Sequence, residues 1–339
     1  MTTRLALALA ATLGLAMPAY AEAAPQGATE AAKAANPFFT ESPLPLHYPQ
    51  FDKIKDSHFA PAFDAGMAEQ LKEIEAIANN ADAPTFENTI IPMEKSGQVL
   101  DRATTVFFAL VGADTNKDRE KLQGEYSTKF AAHSDAISLN GKLFARIKAL
   151  YDSRDTLGLD AQSVRLIERY HTSFVRSGAN LSDADKATLK QMNSELASLG
   201  TKFSQNVLAE VNASALVVED VKELDGLSEQ QIATAAGVAK SRGLEGKYVL
   251  TLLNTTGQPP ESQLTNRALR QRLHEASIVR GSRGGDYDNR EIISKIMTIR
   301  ANRAKLLGYA NHAAFSLEDQ TARTPEAVNA MLGQLAPPN

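Results

Sequence analysis

The stretch that decides the fold is SDADKATLKQMNSELASLGTKFSQNV, residues 182–207. Ser182 is followed by an acidic first turn, an order typical of a helix N-cap whose neighbouring carboxylates favour the positive end of the helix dipole. Apolar residues then recur at spacings of three and four positions: Leu189, Met192, Leu196, Leu199, Phe203 and Val207. This period predicts one long helix with a continuous apolar stripe, which we expect to pack on a second helix.

Three later segments also carry the signals of a helix start. Residues 228–231, SEQQ, form a capping box, and the helix that follows is predicted to end near Gly243. Residues 288–291, DNRE, form a second predicted box, whose helix should end at Gly308. The apolar residues of that helix share one face: Ile292, Ile296 and Ile299. Residues 324–325, Thr-Pro, predict a third start, because proline is favoured at the first helical position.

Signals for strands are few and short. Residues 215–218 and 248–253 are apolar or β-branched runs bounded by polar turns, and together they predict a small two-stranded sheet. Residues 259–260, Pro-Pro, are expected to lie in a loop before the next helix. The sequence therefore predicts a mainly α fold with many helices and one minor β element, without internal repeats.

Composition narrows the class of protein. The chain has 339 residues, of which 43% are apolar and 22% charged, as in ordinary soluble globular proteins. The net charge of −4 argues against general binding of nucleic acid. Because the chain contains no cysteine, disulfides, thiolate nucleophiles and cysteine-type zinc sites are excluded.

The first residues resemble a secretory signal peptide. Arg4 precedes an apolar run over residues 5–17, Pro18 breaks the run, and residues 19–21 read Ala-Tyr-Ala. The run is shorter than the roughly 20 apolar residues of a membrane-spanning helix. We predict that residues 1–21 are removed after Ala21 and that the protein is periplasmic or secreted, with no membrane association afterwards. A buried N-terminal helix is the alternative. Residues 22–35, which are polar and alanine-rich, are predicted to be a flexible lead.

The segment LHEASI, residues 273–278, contains half of a zinc-protease motif. In H-E-x-x-H two imidazoles on one helix face bind the metal, but here Ile278 stands where the second histidine belongs. No two of the six histidines are three or four residues apart: His47, His58, His133, His171, His274 and His312. The pairs Asp56/His58 and His133/Asp135 could each offer two metal ligands. Residues two positions apart point in different directions on a helix, however, so ordinary hydrogen bonds are expected for them.

Other catalytic motifs are incomplete as well. Around Ser282 the chain reads RGSRG, which lacks the first glycine of the nucleophile elbow G-x-S-x-G. Residues 243–248, GLEGKY, are too short for a phosphate-binding P-loop and end in tyrosine instead of serine or threonine. The glycines of residues 281–285, GSRGG, indicate a flexible turn between helices, and a phosphate cradle is the alternative.

Residues 264–305 are strongly basic, with ten lysines or arginines against four acidic residues. Two interpretations stay open for this segment. It is either a solvated helix face or a surface that meets an acidic partner.

Several segments, in order, resemble one family of proteins. They are NPFFTESPLPLHYPQFDKIKDSHFAPAFDAGM (36–67), TFENTIIPMEKSGQVLDRATTVFFAL (85–110), LNGKLFARIKALYDSRDTLGLDAQSVRLIERYHTSFVRSGANLSDADK (139–186), LLNTTGQPP (252–260), LRQRLHEASIVRG (269–281) and IRANRAKLLGYANHAAFSLEDQTARTPEAV (299–328). The chain from Asn36 onward resembles the bacterial peptidyl-dipeptidases, or dipeptidyl carboxypeptidases, of the zinc metallopeptidase family that includes thimet oligopeptidase and oligopeptidase A.

This resemblance implies a long helical fold divided by a deep channel that admits unfolded peptides. It implies one zinc per full-length enzyme, held by an H-E-x-x-H motif and a glutamate, all expected beyond residue 339. The segment around His274 is then a structural helix. We therefore assign no catalytic, cofactor-binding or metal-binding residue to this chain.

On this basis residues 36–339 are predicted to be the helical amino-terminal region of a truncated peptidase that lacks its zinc domain and is inactive alone. The expected partner is an oligopeptide substrate, without nucleic acid, and the protein is expected to be a monomer. The alternative is a non-catalytic helical module that binds peptides. An unstable relic is a third interpretation, because the stripe on the last helix has little chain to cover it: Val328, Met331, Leu332 and Leu335.

Overall fold

In a computed structural model that describes residues 36–253 and 258–335, the predicted long helix runs from Asp183 to Ala213. The Ser182 hydroxyl accepts a hydrogen bond from the Asp185 backbone N–H, as expected for an N-cap. The predicted signal peptide, residues 1–21, and the lead, residues 22–35, lie outside the described residues.

Helices account for most of the described chain, which confirms the mainly α prediction. In chain order the α-helices are α1 Phe59–Ala78, α2 Ile91–Lys95, α3 Gln98–Ala113, α4 Lys117–Ser138, α5 Gly141–Ser153, α6 Ala161–Arg176, α7 Asp183–Ala213, α8 Glu229–Ser241, α9 Gln258–Gln263, α10 Arg267–Ile278, α11 Arg290–Leu306, α12 His312–Leu317 and α13 Pro325–Leu335.

Helices α1 and α3 pack unusually closely, and a glycine permits it. A Cβ atom on Gly66 of α1 would lie 2.7 Å from the backbone nitrogen of Leu100 in α3. Beside this contact, aromatic rings of α1, α3 and α4 fill the core. Phe63 is fully buried, and its ring centroid lies 5.2 Å from that of Phe107 and 5.0 Å from that of Tyr126. These ring contacts fix α3 against its two neighbours.

A buried arginine holds the turn before α2. Arg146 of α5 is only 7% exposed, and its guanidinium donates to the backbone oxygens of Asn80 and Asp82. It also donates to the side-chain oxygens of Asn88 and Thr89. All of these partners are neutral, so backbone and side-chain dipoles replace the water that the cation loses on burial.

Helix α7 packs along α4 and against α11, as the apolar period predicted. The stripe itself is less deeply buried than we expected, since only Leu189 is fully covered and Val207 is 42% exposed. Polar groups take the most protected positions near the end of the helix. The Asn206 amide donates to Asn289 Oδ1 at 3.0 Å, and the buried Glu210 carboxylate pairs with the Arg283 guanidinium at 2.5 Å. These contacts hold the loop between α10 and α11 against α7.

The short β prediction is confirmed. Strands β1, Leu216–Val218, and β2, Tyr248–Leu250, pair antiparallel with Val217 opposite Val249. The capping box at residues 228–231 is also present at the start of α8. Helices α8 and α11 end within two residues of the glycines that were predicted to stop them.

Two local predictions are wrong. Residues 288–291 do not form a capping box: α11 begins at Arg290, its N-cap Asn289 makes no side-chain cap, and Asp288 instead accepts from the Arg290 N–H. The Asn289 side chain is already bonded to α7, so it is unavailable for a cap. Residues 259–260 lie inside the short helix α9 and not in a loop. Proline is tolerated in the first turn of a helix, because the backbone N–H groups of that turn have no hydrogen-bond partner within the helix.

The last helices carry apolar side chains without cover. No residue of α13 is buried among those described, and Met331, Leu332 and Leu335 are half or more exposed. Ile293 and Met297, one turn apart on α11, are also exposed. Within residues 36–253 and 258–335, none of the helices has the length and apolar character needed to cross a membrane.

Candidate functional site

The six histidines all lie within the described residues. No three His, Asp or Glu side chains of that part of the chain come together in a way that could hold a metal ion. Both pairs singled out in the sequence have other partners. Asp56 accepts from Arg119 Nε at 2.7 Å, and Asp135 accepts from Asn193 Nδ2 at 2.7 Å. His58 Nδ1 accepts from the Lys55 N–H.

The half-motif LHEASI lies on α10 and has a structural role. Leu273 is fully buried in the core formed with the β-sheet, whereas the His274 side chain is 61% exposed. The His274 ring lies 3.8 Å from Glu261, and the Glu275 carboxylate accepts from Gln271. This surface offers one imidazole beside one carboxylate, which is too few donors for a zinc site.

The basic stretch, residues 264–305, is divided between structural and exposed charges. Three of its arginines pair with carboxylates: Arg272, Arg283 and Arg290. Arg270 and Arg280 donate to backbone oxygens at the ends of neighbouring segments. In the turn at residues 281–285, the Gly284 N–H donates to Asp288 Oδ2 at 2.8 Å. A carboxylate of the chain itself therefore occupies the position that a bound phosphate would need.

A candidate surface for a ligand is a groove along the exposed side of α3. It consists of two depressions, with volumes of about 420 Å³ and 760 Å³, that share Asp101 and Thr105. We call the pair the α3 groove. The smaller depression lies between α3 and residues 36–54 and is called the strap end. The larger lies between α3, α1 and α4 and is called the Phe108 end.

The strap end is built by an extended segment fastened to α3. Arg102 Nε and Nη2 both donate to the Phe38 backbone oxygen, at 3.1 and 3.0 Å. The Asn36 amide donates to the His58 backbone oxygen at 2.8 Å and closes the far side of the segment. Within the segment, Leu46 and His47 have positive φ angles of 58° and 56°, and Leu46 is 98% exposed. Backbone in this region is strained for such residues, a property often found at functional surfaces.

The Phe108 end begins where Gly97 turns the chain into α3. Gly97 has a φ of +75°, its N–H donates to Glu73 Oε2 at 2.8 Å, and the Gln70 side chain lies where a Cβ atom would be. Gln70 Oε1 in turn lies 2.7 Å from His133 Nε2, so the ring proton is on Nε2. Nδ1 has no partner among the described residues. Burial lowers the pKa of His133 below the usual 6.5, so the ring is neutral near neutral pH.

Acidic and aromatic groups complete the Phe108 end. The Glu94 carboxylate accepts a hydrogen bond from the Tyr170 hydroxyl, whose pKa is raised by burial. The Phe108 ring is 47% exposed and lies 6.2 Å, centroid to centroid, from the Phe130 ring. The α3 groove thus presents apolar surface beside side chains that can accept hydrogen bonds.

Comparison with known proteins shows which proteins this chain is similar to. The family model of Peptidase family M3 matches residues 262–339. The dipeptidyl carboxypeptidase of Escherichia coli (strain K12) is 44% identical over 302 residues, which cover 89% of this chain and 44% of that protein. The dipeptidyl carboxypeptidase of Salmonella typhimurium is 43% identical over 303 residues, covering 89% and 45%. Oligopeptidase A of Escherichia coli (strain K12) is 28% identical over 308 residues, covering 89% and 44%.

Residues 262–339 therefore match peptidase family M3, and over 89% of its length the chain is similar to dipeptidyl carboxypeptidases. It spans less than half the length of these curated relatives. Peptidases of family M3 are in general zinc-dependent, so the fit of a zinc ion to the residues of this chain can be tested directly. The residues present do not fit one: zinc in a catalytic site needs three protein ligands, and in the described part of the chain no three His, Asp or Glu side chains come together to hold a metal ion. No step of the chemistry is therefore assigned to these residues.

No pattern in the amino-acid sequence indicates the α3 groove. Its lining comes from five parts of the chain: residues 36–54, α1, α2, α3 and α4. The only local hints were Gly97, at the start of an amphipathic helix, and the proline-rich strap. Neither identifies a binding surface until the helices are packed.

Proposed function

We propose that this chain supplies the peptide-facing, non-catalytic part of a zinc-dependent peptidyl-dipeptidase, which releases dipeptides from the carboxyl ends of oligopeptides. The enzyme would hold one zinc ion, and the ligands of this ion would lie in a part of the family fold that this sequence does not match. The zinc would polarise the scissile carbonyl and its attacking water. The relationship to dipeptidyl carboxypeptidases, which extends over 89% of the chain, is the observation that carries this proposal.

The lack of a three-ligand metal cluster among the described residues gives the proposal a sharp test. We expect that the purified 339-residue chain neither retains zinc after dialysis nor releases dipeptides from peptides blocked at the amino end. Metal content is measured by elemental analysis and dipeptide release by mass spectrometry, with the Escherichia coli dipeptidyl carboxypeptidase as the positive control. Release of carboxyl-terminal dipeptides by the chain, abolished by a chelator, would contradict the proposal.

A second candidate function is that of a non-catalytic module that binds peptides. The α3 groove favours it, because the groove combines apolar rings with hydrogen-bond acceptors over two adjoining depressions. Calorimetric titration with short blocked peptides tests this function without requiring hydrolysis. We expect saturable binding that is weakened by Phe108→Ala, a half-exposed position where loss of the ring leaves the core intact. Absence of detectable heat with every peptide would exclude the module.

We also propose that the protein is exported and acts as a monomer in the periplasm or outside the cell. The order of Arg4, the apolar run 5–17 and the Ala-Tyr-Ala at 19–21 supports export. Amino-terminal sequencing of protein recovered from the periplasm should give Glu22 as the first residue. Light scattering after gel filtration should give the mass of one chain.

A further inference from the structure

The Phe108 end of the α3 groove combines negative charge, aromatic surface and the absence of a competing cation. Its lining includes the carboxylates of Glu94 and Asp101, and the rings of Phe108 and Phe130. Among the described residues that line it, none is lysine or arginine. Lys95 and Arg102 are neighbours in sequence but are not part of this lining, and Arg102 is held by the Phe38 backbone oxygen.

The two carboxylates differ in how they are held. Glu94 is positioned by the Tyr170 hydroxyl, which donates to one carboxylate oxygen and leaves the other available. Asp101 is exposed, and within the described chain its carboxylate has neither an ion-pair partner nor a hydrogen-bond donor. Both groups therefore have oxygens that can accept from a positively charged donor.

The remaining groups add acceptors and no positive charge. His133 is nine-tenths buried, and its ring proton is committed to Gln70. The neutral ring does not repel a cation. The exposed Phe108 ring offers a face on which a guanidinium or ammonium group can lie, because the ring quadrupole attracts cations.

We propose that the Phe108 end binds the basic side chain, arginine or lysine, of a peptide that lies along the α3 groove. The cation would be paired with Asp101 and Glu94, and its aliphatic stem would cover Phe108. This inference rests on the second candidate function, peptide binding in the groove, and adds the chemical class of residue that the groove selects.

The test uses the full chain and two pentapeptides blocked at both ends, identical except for arginine or citrulline at the centre. Citrulline has nearly the shape of arginine without its charge. By calorimetry we expect the arginine peptide to bind about five- to tenfold more tightly, the scale of partly exposed ion pairs added to one cation–π contact. The preference should decrease at high ionic strength, because salt screens exposed charges.

Variants decide whether the preference arises at this site. The double variant Asp101→Asn/Glu94→Gln should bind both peptides equally. Glu195→Gln removes one charge from an exposed position on α7 outside the groove, and it should keep the preference of the parent chain. Melting temperatures of all variants show whether each is folded.

The outcomes separate this inference from the function on which it rests. Equal binding of the two peptides by the parent chain would overturn the selection of basic residues while peptide binding in the groove stands. A preference that survives the double variant would place the cation elsewhere and also overturn the inference. If neither peptide binds, both the inference and the peptide-binding function fail.

Discussion

At the scale of a residue, the guanidinium of Arg146 takes the place of solvent at the turn before α2. Its planar fork reaches four neutral oxygens in different directions, two of them the backbone oxygens of Asn80 and Asp82. Lysine keeps the charge but has one compact donor group, which cannot span these acceptors. We expect Arg146→Lys to lower the free energy of unfolding by about 2 kcal/mol, because a buried charge then lacks part of its hydrogen-bonding.

Urea denaturation measures this change through the midpoint at constant slope. The matched control is Arg165→Lys, at an exposed pair with Glu168 on α6, where a change of about 0.5 kcal/mol or less is expected. Equal losses of stability in the two variants would show that the hydrogen bonds from Arg146 to its neutral acceptors do not contribute more than an exposed ion pair.

At the scale of an element, the contact between α1 and α3 depends on a missing side chain. A Cβ atom at Gly66 would lie 2.7 and 2.9 Å from backbone atoms of Leu100, and a helix backbone cannot move aside as a flexible side chain can. We expect Gly66→Ala to lower the free energy of unfolding by about 1–3 kcal/mol through overpacking. It should also shift α3 and so weaken peptide binding in the α3 groove.

Gly124, inside α4, is the control for this prediction. Nothing lies within 4 Å of a Cβ atom placed there, so alanine should raise stability by about 0.5–1 kcal/mol through its higher helix propensity. Thermal unfolding of both variants measures the difference. A gain in stability from Gly66→Ala would mean that the two helices are not in close contact in solution.

Elements were predictable from the sequence where their signals are local. The N-caps at Ser182 and Ser228 follow from hydroxyls placed before the first turn, and both are confirmed. The box at residues 288–291 was wrong because Asn289 is used in a tertiary contact with Asn206, which no local pattern reveals. The α3 groove could not be predicted for the same reason: it exists only after Gly66 brings α1 against α3.

At the scale of the whole molecule, the buried core falls into separate groups along the chain. The buried residues of one cluster all lie between positions 211 and 273, around the β-sheet, α8 and α10. The buried residues of the other clusters all lie between positions 38 and 179. Helix α7 joins the two regions, with polar contacts such as Gln205 to the Glu120 backbone oxygen beside it. None of these buried clusters contains residues of both regions.

We expect the two regions to open separately, because cooperative unfolding requires a shared core. Leu250→Ala and Ile147→Ala each create a cavity at a buried site in one region, at a cost of about 2–4 kcal/mol. Hydrogen exchange by mass spectrometry in increasing urea should show Leu250→Ala accelerating exchange only in peptides from β1 to α10. Ile147→Ala should do so only in peptides before α7. If either variant accelerates exchange equally throughout the chain, α7 transmits stability between the regions and the molecule unfolds as one cooperative unit.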